Sequence, residues 1–250
     1  MSNTGFAEGS KLIILAVDTS SHRVSLAVSC GEEIVASLSM NNHLPHSQTL
    51  FPNISVLLQA AGLEIQAVNV FATATGPGSF TGLRVGLAAV KGLADSLGKP
   101  CLGIDSLDLL ALATGFDGAH LVMIDAGRGE VYGGMREVTA GDITNRSADD
   151  KVGKPSLVLS SLTPDLKVIQ LAVTGNGAQK HKEEVQAFID NLLGEVGESP
   201  GLQWLAFNGE LFNPAAALAK RACRLLENNQ APPVKPHYIR PSDAEIKCQR

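Results

Sequence analysis

The chain has 250 residues, is 44% hydrophobic, 18% charged and 4% aromatic, and carries a formal net charge of -5. That length supports one large domain or two compact lobes, each with its own core. The acidic balance argues against a stand-alone nucleic-acid binder, which needs a basic face to displace counterions from phosphates, unless a partner supplies that face. Cys30, Cys101, Cys223 and Cys248 form no CxxC pair, so neither a zinc ribbon nor a disulfide framework is indicated, and the cytoplasm is the expected compartment. The opening ten residues, MSNTGFAEGS, are polar and read as a disordered leader rather than a secretory signal. The sequence has no apolar run long enough to span a membrane.

In chain order, KLIILAVDTSS reads as a buried strand ending in a turn, and RVSLAVSCGEEIVASLSM as two alternating strands around Gly31-Glu32. HSQTLFPNISVLLQAAGL places Leu50, Ile54, Leu57, Leu58 and Ala61 at helical spacing before Gly62 ends the helix. AVNVFATAT is the next strand, residues 81–97 a second helix stopping at Gly98, CLGI a strand, and residues 105–114 a third helix. The order β-β-β-α-β-α-β-α implies a mixed sheet with helical crossovers. AHLVMIDAGRGEVYGGMREV restarts the pattern. Asp125 follows an apolar strand and precedes Val131 by six residues, as Asp18 precedes Val24, which suggests a duplicated lobe. Residues 139–165 are rich in Asp, Ser, Gly, Lys and Pro and read as a mobile insertion. A strand in VIQLAVTGNGAQKH, helices in KEEVQAFIDNLL and NPAAALAKRACRLLENN, and an extended Pro-rich tail complete the chain. The division expected is a first lobe over 11–104, a connecting helix over 105–116, and a second lobe over 117–250 whose last helix can pack back on the first lobe.

The loop Gly76-Pro77-Gly78-Ser79-Phe80-Thr81-Gly82 joins a strand to a helix. It is neither a Walker A loop nor a dinucleotide fingerprint, because it has no Gly-Lys-Ser/Thr and Thr81 stands where the third glycine would be. Ser79 and Thr81 as N-caps, with Arg84 one turn on, make a helix start that attracts an anion; a plain tight turn is the other reading. Asp18 and Asp125 at strand ends could hold magnesium and phosphates, or only cap their turns. The candidate nucleotide or anion set is therefore Asp18, Thr19, Ser20, Gly76, Gly78, Ser79, Thr81, Arg84, Asp125 and Arg128. Gly82, Gly86, Ala89 and Gly92 strip the following helix to backbone. Since each interior glycine costs roughly 0.8–1.0 kcal/mol relative to alanine, close approach of another helix is expected, from this chain or another subunit. Gly82, Leu83, Gly86, Ala89, Val90 and Leu93 are the expected dimer contacts. His43 and His46 make an HxxH pair interrupted by Pro45, read as a loop pair rather than a metal site, and the other histidines as surface residues. No catalytic residue is nominated, because Ser79 has no identifiable base and neither GxSxG nor HExxH occurs.

Taken together, ILAVDTSS, HSQTLFPNISVLL, GPGSFTGLRVGLAAVKGLA, IDAGRGEVY and PHYIRPSDAE resemble the bacterial TsaB (YeaZ) family, over residues 12–245 with poor cover of 139–165. The resemblance implies an α/β fold of the two-lobed ASKHA class, which includes actin and Hsp70. It also implies a non-catalytic role in forming N6-threonylcarbamoyladenosine at position 37 of ANN-decoding tRNAs. The partners implied are the catalytic paralogue TsaD, the ATPase TsaE and, through the complex, tRNA, together with a homodimer. No intrinsic cofactor is expected, while ADP or ATP with magnesium could sit at the boundary with a partner. TsaD carries an HxxxH metal motif just after the strand that follows the glycine-loop helix. Here that segment is GIDSLDLLA, with Ser106 and Leu110 at the histidine positions, so metal-dependent transfer is not expected of this chain. Family members usually have Arg-Arg or Arg-Met after Asp-Ala, whereas this chain has Gly127-Arg128. The competing readings are a free-standing ASKHA phosphotransferase or glycoprotease-like metallopeptidase, and a dimeric scaffold with no small ligand.

Overall fold

The computed structural model describes residues 12–41, 44–146, 149–162, 170–196, 201–204, 213–237 and 239. The proposed leader, His43, Cys248 and most of PHYIRPSDAE lie outside the described residues.

Strands β1 (Ile13–Asp18), β2 (Arg23–Cys30) and β3 (Glu33–Asn41) form an antiparallel meander, and helix α1 (His46–Ala60) follows Pro45 directly. Then come β4 (Val70–Ala74), α2 (Phe80–Leu97), β5 (Cys101–Ile104) and α3 (Ser106–Ala113). The sheet order is β3-β2-β1-β4-β5, with β1, β4 and β5 parallel. Helix α2 begins on Ser79, whose hydroxyl accepts from the Gly82 amide, and ends on Gly98 at φ 62°, where a residue with a Cβ would be strained.

The second lobe repeats this plan. β6 (Gly118–Gly127), β7 (Glu130–Thr139) and β8 (Asp142–Asn145) form the meander, and β10 (Gln170–Thr174) and β11 (Gly201–Trp204) add in parallel to give the order β11-β10-β6-β7-β8. Role by role this is the first sheet again, with β6 for β1 and β10 for β4. Helices α5 (Asn176–Lys180) and α6 (Lys182–Val196) lie between β10 and β11. The described part of the segment read as a mobile insertion is structured: β8 and β9 (Lys151–Gly153) both pair with β7, and α4 (Pro155–Ser161) buries Val158 and Leu159. Short strands and a one-sided helix leave too weak a periodicity to read from sequence. Strand β11, in GLQW, was likewise not anticipated.

Alternation along β1 explains why its apolar run is unbroken. Leu15 and Val17 point to α1 and α2, which contribute Leu50, Ile54, Leu57, Ala89 and Val90. Ile14 and Ala16 point to the opposite layer, filled by Leu218, Ala219 and Ala222. Those last residues belong to α7 (Pro214–Glu227), capped by Asn213, so the chain's final helix covers the first lobe's sheet. Between the lobes, α3 sends Leu109 into the first core and Leu107, Leu110 and Ala111 against Val122, Ile124 and Val138 of the second. Among the described residues, no helix is long and apolar enough to cross a membrane.

Candidate functional site

Two polar centres stand out, one in the first lobe and one around Arg136 between the lobes. The first joins the β1–β2 turn to the glycine loop. Asp18 is buried and its Oδ1 accepts the Ser20 amide at 2.9 Å. Burial pushes this carboxyl up, against the hydrogen bonds from Ser20 and the charge of His46. The Thr19 hydroxyl donates to Gly82 O at 2.8 Å, the Ser79 amide donates to Ser20 O at 2.6 Å, and His46 Nε2 lies 2.8 Å from Ser21 O. Turn and loop are therefore bonded to each other. The Ser79 amide is thus occupied within the chain, as is the Gly82 amide by the Ser79 hydroxyl. Thr81 is exposed, and the Arg84 guanidinium lies 3.8 Å over the Phe80 ring.

The same geometry corrects the docking face expected on α2. A Cβ on Gly82 would meet Thr19 O, and one on Gly86 would meet Thr19 Oγ1. What approaches these glycines most closely is the β1–β2 turn of the same chain, with His46 at the start of α1 next nearest to Gly82. Leu83, Ala89 and Val90 are buried in the first lobe and Leu93 is half-buried against the same core, so they do not form an outward contact surface. Gly92 does face open space. Helix α1 carries the apolar exposure instead: Phe51 and Val56 are about half exposed, as is Leu44 just before it.

In the second lobe Asp125 is held separately. Its Oδ2 accepts from Lys180 at 2.8 Å and its Oδ1 from the Gly127 amide at 3.0 Å. Burial tends to raise its pKa, but Lys180, the Gly127 amide and His181 outweigh that and leave it below the usual carboxylate range. Gly127, Arg128 and Gly129 all have positive φ, 74°, 56° and 75°, so the glycine that departs from the family pattern fits its backbone.

The second centre was missed in the sequence. Arg136, in β7, is almost fully buried and reaches between the lobes. Its two terminal nitrogens bond both oxygens of Asp150 at 2.8 and 2.9 Å, its Nε bonds Asp108, and NH2 lies 3.4 Å from Asp105. Arg146 bonds the other Asp108 oxygen, and His237 Nδ1 lies 2.7 Å from Asp105 Oδ2. Asp105 also caps α3, accepting from the Leu107 and Asp108 amides. Burial would raise Asp105, yet the His237 hydrogen bond and the Arg136 charge hold it low; Asp108, burdened by burial and by Asp105, is pushed up. The Asp105 bond lifts His237 above the ordinary histidine value, against some burial. Arg136 is held in its charged state by these carboxylates despite burial. Asp105, Asp150 and His237 bring polar atoms within 4.8 Å of one another, but Arg136 already provides their cation, so the cluster is an ion-pair network. It borders a cavity of about 640 Å³ lined by Arg146, Asp149, Asp150, His237 and Ile239. The sequence signal was Asp105 before an apolar helix, an N-cap pattern; nothing local announces Arg136 as its partner.

Duplicated mixed sheets joined by a bridging helix, with a polar centre between them, define a two-lobed ASKHA protein. A Thermus thermophilus ROK hexokinase, 12% identical, shares the fold with a TM-score of 0.50, covering 83% of this chain and 98% of its own. The family described as "TsaD: tRNA N6-adenosine threonylcarbamoyltransferase" matches residues 41–247. The tRNA threonylcarbamoyladenosine biosynthesis protein TsaB of Bacillus subtilis is 31% identical over 74% of this chain and 79% of its own length, and its Escherichia coli counterpart is 32% identical over 58% and 64%. The structure of YeaZ from Pseudomonas aeruginosa, 26% identical, superposes with a TM-score of 0.71 over 91% of this chain and 100% of its own. The chain belongs to the TsaB (YeaZ) branch of this threonylcarbamoyltransferase family.

Proposed function

We propose that this chain is the non-catalytic subunit that supports a TsaD-type paralogue in building N6-threonylcarbamoyladenosine at position 37 of ANN-decoding tRNAs. The observation that carries the reading is the start of α3. Ser106 and Leu110, at the positions of the paralogue's metal histidines, are 2% and 8% exposed, and Leu110 packs between the lobes. Leucine offers no ligand atom, and a buried serine hydroxyl is a poor substitute for imidazole. The chain's contribution is then a surface. Leu44, Phe51 and Val56 supply exposed apolar side chains on and just before α1, suited to a partner on the paralogue or, in its absence, on a second copy. A TsaE-type ATPase joins the assembled pair, ADP or ATP with magnesium binds at the boundary between subunits, and tRNA is met through the complex. The net charge of -5 favours that indirect route to tRNA.

The test is a reconstituted modification assay with the paralogue and ATPase, with and without this chain. Modification should depend on its presence and survive Asp18→Ala in it. Full modification without the chain would remove the reading.

A further inference from the structure

The residues after α7 form a strap that crosses the first lobe. The Gly103 amide donates to Pro232 O at 3.0 Å and the His237 amide donates to Thr75 O at 2.8 Å, so the strap runs along the free edge of β5 and over the start of the glycine loop. The fit is close: a Cβ on Gly76 would lie 2.7 Å from His237 O, and one on Gly103 3.0 Å from Pro233 O. At the end of this strap the His237 imidazole reaches Asp105, the N-cap of the helix that bridges the lobes. We propose that His237 is a proton-operated latch, which fastens the C-terminal strap to the inter-lobe helix when protonated and loosens it when neutral.

The surroundings suit that task. Facing the imidazole region are Asp105 and Asp108 from α3, Arg136 from β7, and Arg146, Asp149 and Asp150 from the segment between β8 and β9, with Lys235 two residues back on the strap itself. Four carboxylates stand against two guanidinium groups and the Lys235 ammonium, an excess of one negative charge that favours an imidazolium. The His237 side chain is 46% exposed, so protons reach it freely, while Asp105 at 9% stays fixed by its capping bonds. A protonated ring gives Asp105 a charge-assisted bond; the neutral ring leaves an ordinary one. Because the folded pKa is raised, the extra stability is complete below the unfolded value of about 6.5 and is lost as pH rises through the folded value.

Hydrogen exchange on the full chain, read by mass spectrometry at about pH 6 and about pH 8.5 and corrected for intrinsic rates, tests the latch. Peptides spanning 231–237 should lose at least about threefold in protection at the higher pH, while α7 peptides keep theirs. His237→Asn, which puts an amide donor near the Nδ1 position without a titrating charge, should make strap protection independent of pH. Equal wild-type protection at both values, an equal fall in His237→Asn, or a parallel fall in α7 would each overturn the proposal.

Discussion

At the scale of single residues, Arg136 and Gly86 show how far a side chain's meaning depends on what faces it. Arg136 is a cation buried among Asp105, Asp108 and Asp150, and its removal takes the paired guanidinium from Asp150 and leaves Asp108 to Arg146 and Asp105 to His237. Breaking a buried pair on one side costs about 3–5 kcal/mol. Arg136→Met is therefore expected to lower the unfolding free energy measured in urea by an amount of that order, while Arg136→Met combined with neutral replacements of Asp108 and Asp150 recovers much of it. Asp105 gives the acid limb. Its folded pKa is depressed, so the stability it lends is present above its ordinary value of about 4 and is lost as pH falls through the lower folded value. Asp105→Asn should flatten that part of the stability profile in acid-unfolding titrations. Gly86→Leu tests the corrected α2 reading: the leucine would drive into Thr19, so a loss of fold stability beyond the roughly 1–3 kcal/mol of ordinary overpacking is expected. A folded Gly86→Leu protein with a normal midpoint and an altered oligomeric state would restore α2 as an outward surface.

Elements divide between cover and contact. Helix α7 is cover: Leu218, Ala219 and Ala222 fill the face of the first sheet opposite α1 and α2. Leu218→Ala is expected to cost about 2–5 kcal/mol by denaturant unfolding, because the site is fully buried and collapses only partly. Helix α1 is cover on one side and exposes apolar side chains on the other, where the partner is proposed to bind. Leu50, Ile54 and Leu57 face the sheet, while Phe51 and Val56 face outward. Phe51→Glu should therefore leave stability within roughly 0.5 kcal/mol and yet abolish capture of the TsaD-type paralogue in a pull-down. Undiminished capture would move the partner surface away from α1.

For the whole molecule, the two lobes are alike in sheet order but not separable in chain. The first sheet depends on a helix made 110 residues after its own last strand, from Ile104 to Pro214. Residues 11–104 expressed alone should give a poorly dispersed spectrum, with one sheet face uncovered, and addition of a peptide spanning 213–228 should sharpen it. The ion-pair network reinforces this dependence, because its members come from α3, β7, the segment before β9 and the strap. Motion of one lobe against the other must carry Arg136 away from Asp105 or take α3 with it.

What the sequence by itself determined was local and periodic. The first meander, a helix over 81–97 stopped by Gly98, and the Asn213-Pro214 start of α7 follow from alternation, 3.6-residue spacing and capping chemistry, and the structure begins that helix one residue earlier, on Ser79 as its cap. The repeated strand-Asp-turn units, Asp18 to Val24 and Asp125 to Val131, pointed to a duplicated lobe because each copy obeys the same local rules. The family motifs were legible for the same reason, being contiguous. Only the tertiary structure decided what the glycines of α2 face, since a small residue records that something comes close and not what. It alone decided that residues 142–161 belong to a sheet edge and its covering helix, where short strands gain order from pairing with β7. It alone brought Asp105, Asp108, Arg136, Asp150 and His237 together, because charges 14 to 132 residues apart along the chain find one another through packing and leave no shared period in the sequence.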